Sequence, residues 1–265
     1  MRPNEHPYRE LFEGHAAGHY TLPEELTANE RAYVTIYNRP YPEPPRSLFE
    51  VQVKFAEDVV AAVHDGTELP DLGAIDAART AERQHEDACE VHQLILDTAR
   101  RRFDRAVSGA ALRVITDHLA PAHDETWEAF RAAYKALREY GETEHRRLLT
   151  APAKVRKAAD AVDMLTARYE AIRAARQMYI NRRLLASAED PRGKYLHMRN
   201  YHALHPSRMV MARPDWDGLD TRRYLMWMAD HGGELWMPTP DQQAKAAAEE
   251  SGLAQPARVP AHLRA

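Results

Sequence analysis

The sharpest chemical signal in the chain is a run of metal-ligating side chains at helical spacing. Glu82 and His85 stand three residues apart, and Cys89 and His92 follow at steps of four and three. On an α-helix, residues three and four apart share a face. A Glu-x-x-His pair then offers a carboxylate and an imidazole to one ion, as carboxylate-bridged di-iron sites require. His85, Cys89 and His92 form a set suited to zinc. A second pair, Glu142 and His145, recurs later, with Glu50, Glu57 and Glu170 as the nearest further carboxylates. Against a shared site, Glu142 falls about 140° around a regular helix from the apolar stripe through Leu137, which turns it to water. A helix rich in Glu and His also yields this pair by chance. No cofactor is expected from these residues, and a metal-binding helical protein stands as the alternative reading.

Other constellations are weaker. His15 and His19 have the spacing of zinc-binding histidines but lack the intervening glutamate of a metalloprotease helix. His197, His202 and His205 cluster with no carboxylate near in sequence. Serine is scarce, at 47, 108, 187, 207 and 251, and none has an activating context. Cys89 sits on the buried side of a predicted helix, as a packed thiol does. The chain is therefore read as more a non-enzyme than an enzyme.

Arginine groups form the next signal. Arg100, Arg101, Arg102 and Arg105, with Arg182 and Arg183, could contact phosphates, as could Arg146-Arg147 and Arg222-Arg223. Acidic residues interleave with them, so nucleic-acid binding by the basic half is a second alternative. Arg176 and Arg183 take seam positions of a predicted helix. A charge there predicts an acidic partner across the seam or a helix end that leaves the bundle.

The charge is unevenly spread. The 265 residues sum to −4, but 1–98 carry 8 basic and 19 acidic side chains, net −11. Residues 99–223 carry 25 and 16, net +9, and 224–265 carry 3 and 5, net −2. The crossover falls inside one predicted helix, so that helix is acidic first and basic at Arg100–Arg105. Antiparallel packing of two such helices would bring opposite charges together. One cysteine gives no intrachain disulfide framework. There is no apolar signal core and no window of 18 uninterrupted apolar residues, so no membrane partner is expected. Glycine-rich phosphate loops are absent. Thirty arginines against six lysines, with abundant alanine, suggest a high-GC bacterium or its phage.

The elements that must position these groups are helices. Residues 1–46 read as an arm with one short helix, from about Ala28 to Tyr37, started by the capping box Thr27-Ala28-Asn29-Glu30. The run Pro40-Tyr41-Pro42-Glu43-Pro44-Pro45 is extended. Ser47-Leu48-Phe49-Glu50 is a second capping box, opening a helix to about His64 with Leu48, Val51, Phe55, Val59 and Ala62 on one face. Asp65-Gly66 closes it. A long helix from Ala74 to about Leu119 follows, with a bend expected near Ser108-Gly109, and Pro121 breaks it or starts the next. A third helix spans about 123–149. A fourth runs to about Ser187, with the seam Val155, Ala158, Val162, Leu165, Tyr169, Ile172, Tyr179 and Ala186.

Residues 191–240 hold six of nine methionines and three of four tryptophans. Asp220 or Thr221 should cap a short helix stopped by Gly232-Gly233. Tyr195, Met198, Trp216, Trp227, Met228 and Trp236 are the candidate interface, with folding back as ordinary core the competing reading. Residues 241–265 read as a loose tail with a helical turn at 241–251.

The expected fold is mainly α: an elongated antiparallel helical bundle or coiled coil (47–190), an extended N-terminal arm (1–46), an irregular aromatic and Met-rich segment (191–240) and a loosely ordered tail (241–265). The expected function is structural or assembly work through a homo-oligomer or larger protein assembly. A phage or prophage particle component, in the cytoplasm or in a particle assembled there, is the expected setting.

Overall fold

The computed structural model describes residues 6–141, 148, 150–185, 198–200 and 220–254. The chain is mainly helical. Among the described residues no strand forms, and one isolated bridge pairs Met198 with Leu235. Two compact units divide the chain: Glu25–Ala106, and Arg2–Glu24 with Val107–Ala265.

The first unit opens with helix α2 (Glu24–Tyr37), which follows α1 (Arg9–Ala16) of the second. The α2 helix starts earlier than the Thr27 box predicts. Pro23 stands just before it, where its fixed φ suits the threshold of a helix. Thr27 is therefore inside the helix, and Asn29 instead donates from Nδ2 to the Glu25 carbonyl at 2.8 Å. Tyr33 is buried and stacks on Phe103 at 5.1 Å between ring centroids.

Helix α3 (Leu48–Asp65) begins and ends where its sequence says. The Ser47 side chain accepts from the Glu50 N–H at 3.2 Å, and Gly66 closes it at φ 66°. That left-handed position suits glycine because it has no Cβ. Of the predicted inner face, Ala62 is buried while Leu48, Val51, Phe55 and Val59 are half-buried. Helix α4 (Gly73–Arg113) follows. Its inner row repeats at three and four residues: Ile75, Ala78, Glu82, His85, Cys89, His92, Leu96, Ala99, Phe103.

In the second unit α4 continues as α-helix through Ser108-Gly109 to Arg113. The backbone then widens at a π segment, Val114–Leu119, before α5 (Ala120–Tyr140). The Ala120 N–H bonds to the Ile115 carbonyl, five residues back. Pro121 has no N–H to give, and its ring would strike the carbonyl four residues earlier, so a regular turn cannot pass through it unaltered. Buried positions run 107, 110, 114 before the segment and 119, 123, 126, 130 after it. An unbroken alternation of three and four would have placed Asp117, Pro121 and Asp124 in the core; all three are exposed.

Helix α5 ends at Gly141, φ 80°. It packs against α6 (Ala153–Asn181) to form the core: Trp127, Phe130, Tyr134 and Leu137 meet Val155, Val162, Leu165 and Tyr169. His123, near the far end of α5, lies against Tyr169, so the two helices run antiparallel. The predicted seam of α6 is the buried one, although Ala159 rather than Ala158 is covered most deeply and Ala186 lies outside the described residues. The helix ends at Asn181, short of the predicted Ser187. Arg183 takes φ 55°, and the Leu184 and Arg183 N–H groups bond back to the Tyr179 and Ile180 carbonyls. This is the hydrogen-bond pattern of a glycine-terminated helix, built here without glycine.

Helix α1 packs on α6, with Leu11 and Phe12 buried, and the Tyr20 hydroxyl returns to the Leu11 carbonyl at 2.7 Å. A Cβ at Gly14 would lie 2.5 Å from that hydroxyl, so the return requires glycine there. Helix α7 (Thr221–Asp230) is capped by Asp220, which accepts from the Arg223 N–H at 2.7 Å. Helix α8 (Pro240–Ala254) forms where the helical turn at 241–251 is expected and is longer by one residue before it and three after. Thr239 and Gln242 form a reciprocal cap, each side chain accepting from the other's backbone N–H, ahead of an alanine-rich stretch.

Candidate interaction surface

The first unit keeps large apolar side chains in water. Helix α3 carries a second row beside its inner one: Phe49, Val53, Ala56, Val60 and Val63, again at steps of four and three. Phe49 is 73% exposed, and Val60 and Val63 are each 69% exposed. A shallow hollow on this side is lined by Val53, Ala56, Val60 and His64. The inner row of α3 faces the start of α4, and its outer row is exposed. Helix α4 has an outer row too: Ala88, Val91, Leu94 and Ile95, with Val91 and Leu94 more than half exposed. The loop between the helices adds Leu69 and Leu72, both exposed. A cavity of about 740 Å³ between α3 and the start of α4 is lined by Val51, Phe55, Ala74, Ala78 and Ala81.

The predicted metal residues line the inner row of α4, and each faces a neighbour of its own. Glu82 accepts from the Leu48 N–H at the start of α3, holding that helix end in place. His85 Nε2 lies 3.5 Å from Cys89 Sγ. The His92 ring meets Tyr41 edge-on at 5.1 Å. Tyr41 also shares a hydrogen bond with the Cys89 thiol, which lifts its phenol above the usual range. Among the described residues no three of His, Cys, Asp and Glu are grouped to hold a metal ion. Glu142 and His145 lie outside the described residues, as do His197, His202 and His205. His19 lies beyond the end of α1, past Gly18 at φ 75°, so its helical spacing from His15 is not realised.

Several of these arginines have partners within their own unit. Arg100 bonds Asp104 at 3.0 Å and reaches the Tyr33 hydroxyl. Arg105 donates to the Arg101 carbonyl, and Arg101 and Arg102 are exposed. In the second unit Arg182 lies over the Tyr8 ring at 4.9 Å, and Arg183 forms the turn after α6. Arg176 is buried and donates to the Pro238 carbonyl at 2.9 Å. Burial, with Arg173 nearby, lowers its guanidinium to about 10. The acidic partner expected for this seam position is thus replaced, in that bond, by a backbone carbonyl ahead of α8.

The Met/Trp segment folds inward where it is described. Met198 and Met228 are buried in the α5–α6 core with Leu225 and Leu235, so neither can face a partner. The reason is the phase of α7, which points Leu225 and Met228 at α5 and α6. Trp227 stays half-buried and stacks on His231 at 4.2 Å, and Trp236 lies under the Arg199 guanidinium. Tyr195 and Trp216 lie outside the described residues.

The sequence reading missed two features. One is the outer row of α3, with Val91 and Leu94 of α4; Ala88 and Ile95 belong to the apolar recurrence of the long helix in the sequence, but they lie on its exposed side. The other is His123, fully buried on α5 at a seam position between Leu119 and Trp127. Its Nδ1 meets Asp124 at 3.2 Å, and its Nε2 has no hydrogen-bond partner. Burial holds its pKa below the usual value, with Arg173 and Arg176 pushing the same way.

No protein-family model, curated protein or solved structure matches the chain.

Proposed function

We propose that this chain is a structural or assembly protein that works through helix-mediated contacts with other protein chains. The observation that carries the reading is the pair of exposed apolar rows on α3 and α4. Exposed apolar side chains aligned along a helix mark contact sites, whereas scattered ones need no explanation. At about 25 cal/mol per Å² of apolar surface removed from water, covering such rows is a substantial driving force for association. A phage or prophage particle is the setting this reading takes from the sequence, supported by the arginine and alanine bias alone. Among the described residues no helix is long and apolar enough to cross a membrane.

The test is the mass of the full chain in solution, by size-exclusion chromatography with light scattering. A mass above one chain is expected. Val60→Asp should shift it toward one chain with helicity unchanged, because that side chain already faces water. A wild-type chain that stays at monomer mass into the high micromolar range overturns the reading.

A further inference from the structure

The outer face of α4 carries a pattern that reads the same in both directions. Its positions recur at alternating steps of three and four: Ala74, Ala77, Ala81, Gln84, Ala88, Val91, Ile95, Thr98, Arg102 and Arg105. All but Ala81 are exposed, and Ala74, Ala77 and Ala81 also line the cavity beside α3, so the open stretch of the seam begins at Gln84. The spacing is that of a coiled-coil seam, one residue ahead of the inner row and so about 100° around the helix from it. In an antiparallel pair of such seams, each position of one kind meets the other kind on the partner helix. One register places Val91 opposite Ile95, Ala88 opposite Thr98, and Gln84 opposite Arg102.

The flanking row settles what fits it. Beside the seam run Asp87, Leu94 and Arg101, seven residues apart and all exposed. In the same antiparallel register Leu94 meets its own copy on the two-fold axis. Asp87 then faces Arg101 of the other helix, and Arg101 faces Asp87. Apolar residues sit at the centre and opposite charges at equal distances either side. A two-fold contact demands this self-complementarity, since each residue pair occurs twice. The other flank, His85, His92 and Ala99, is held by the chain's own inner packing, so one flank is open to a partner.

We infer that a second copy of this chain covers the outer face of α4, antiparallel, with the two-fold axis at Leu94 and paired Asp87–Arg101 contacts on either side. The inference rests on the reading of the protein as an assembly protein and names its partner. Charge selects that partner: a helix acidic along its whole length would set Asp87 against like charge, and a basic one would do so at Arg101. Like charges at such flanking positions disfavour the wrong pairing.

Charge exchange tests it on the full chain. Asp87→Arg places arginine opposite Arg101 twice, and Arg101→Asp places aspartate opposite Asp87 twice. Each variant alone should self-associate at least about tenfold more weakly than wild type by analytical ultracentrifugation, because both exposed pairs turn from attractive to repulsive. An equimolar mixture of the two should recover association, as mixed dimers only. The double variant D87R/R101D should recover it by itself. As a second measurement, Leu94→Cys in a Cys89→Ala background should form a disulfide-linked dimer under mild oxidation, because the axis brings the two residues 94 together. Single variants that associate like wild type, or a mixture that does not recover, overturn the inference. If association then still falls with Val60→Asp, assembly runs through another face and only the α4 contact is wrong. A wild-type monomer removes both.

Discussion

At the scale of single residues, the chain separates groups that look chemical from groups that are electrostatically unusual. Glu82, His85, Cys89 and His92 were legible as one helical face, and they do share it. What spacing does not carry is the occupant of that face: here it is the N-terminus of α3 and the Tyr41 ring, brought in by the proline run. His123 had no such signature, since one histidine among apolar neighbours has no motif to announce it. Its burial makes a prediction. The folded state resists protonating the ring, so below about pH 6.5 the unfolded chain binds a proton that the native one refuses. Stability should therefore fall as pH drops from 7.5 toward 5, while Asp124 opposes the loss and Arg173 and Arg176 add to it. Each unit by which the folded pKa is depressed is worth about 1.4 kcal/mol at full effect. Urea midpoints at the two pH values measure this. His123→Phe should flatten the dependence, and an unchanged slope would show that the ring is not its source.

At the scale of elements, the sequence was most legible where capping chemistry is unambiguous. Ser47 and Gly66 bound α3 at both ends, and Asp220 starts α7. It misled where a local signal was outcompeted, as at Thr27, where Pro23 starts the helix four residues sooner. It was silent at the end of α6, because Arg183 takes a glycine's conformation. A non-glycine residue there costs about 1 kcal/mol. Arg183→Gly should therefore stabilise the fold by about 0.5–1 kcal/mol in chemical denaturation, net of the entropy glycine adds to the unfolded chain. No gain, or a loss, would mean the arginine side chain contributes more than its backbone costs. The double-sided α3 was also legible in principle. Its two apolar rows are both present in the sequence at the same spacing, and only burial distinguishes the one that faces the chain's own core.

At the scale of the molecule, net charge is the property that sequence and structure share most directly. The division into an acidic and a basic stretch falls inside α4, and the acidic part coincides with exposed apolar side chains. Association through that face should weaken with salt, since exposed charge pairs are screened within about 10 Å at 0.1 M ionic strength. Sedimentation at low and at high salt measures it. A dimer that tightens with salt would place the apolar rows, and not the charges, in control. The boundaries of the two units were not legible. The boundary at Ala106 falls inside α4, where neither proline nor glycine marks it. The one at Glu25 falls at the start of α2, just past Pro23, with no change of composition to distinguish it from an ordinary helix start.

The π segment has a consequence for descent. A turn closed over five residues holds one residue more than a turn closed over four. A related chain one residue shorter across 114–119 could run as an ordinary helix, with its next buried positions falling at 118 and 122 in place of 119 and 123. Such a relative would align with this one on either side of a single-codon gap, and its position matching Pro121 would have lost the freedom to be proline.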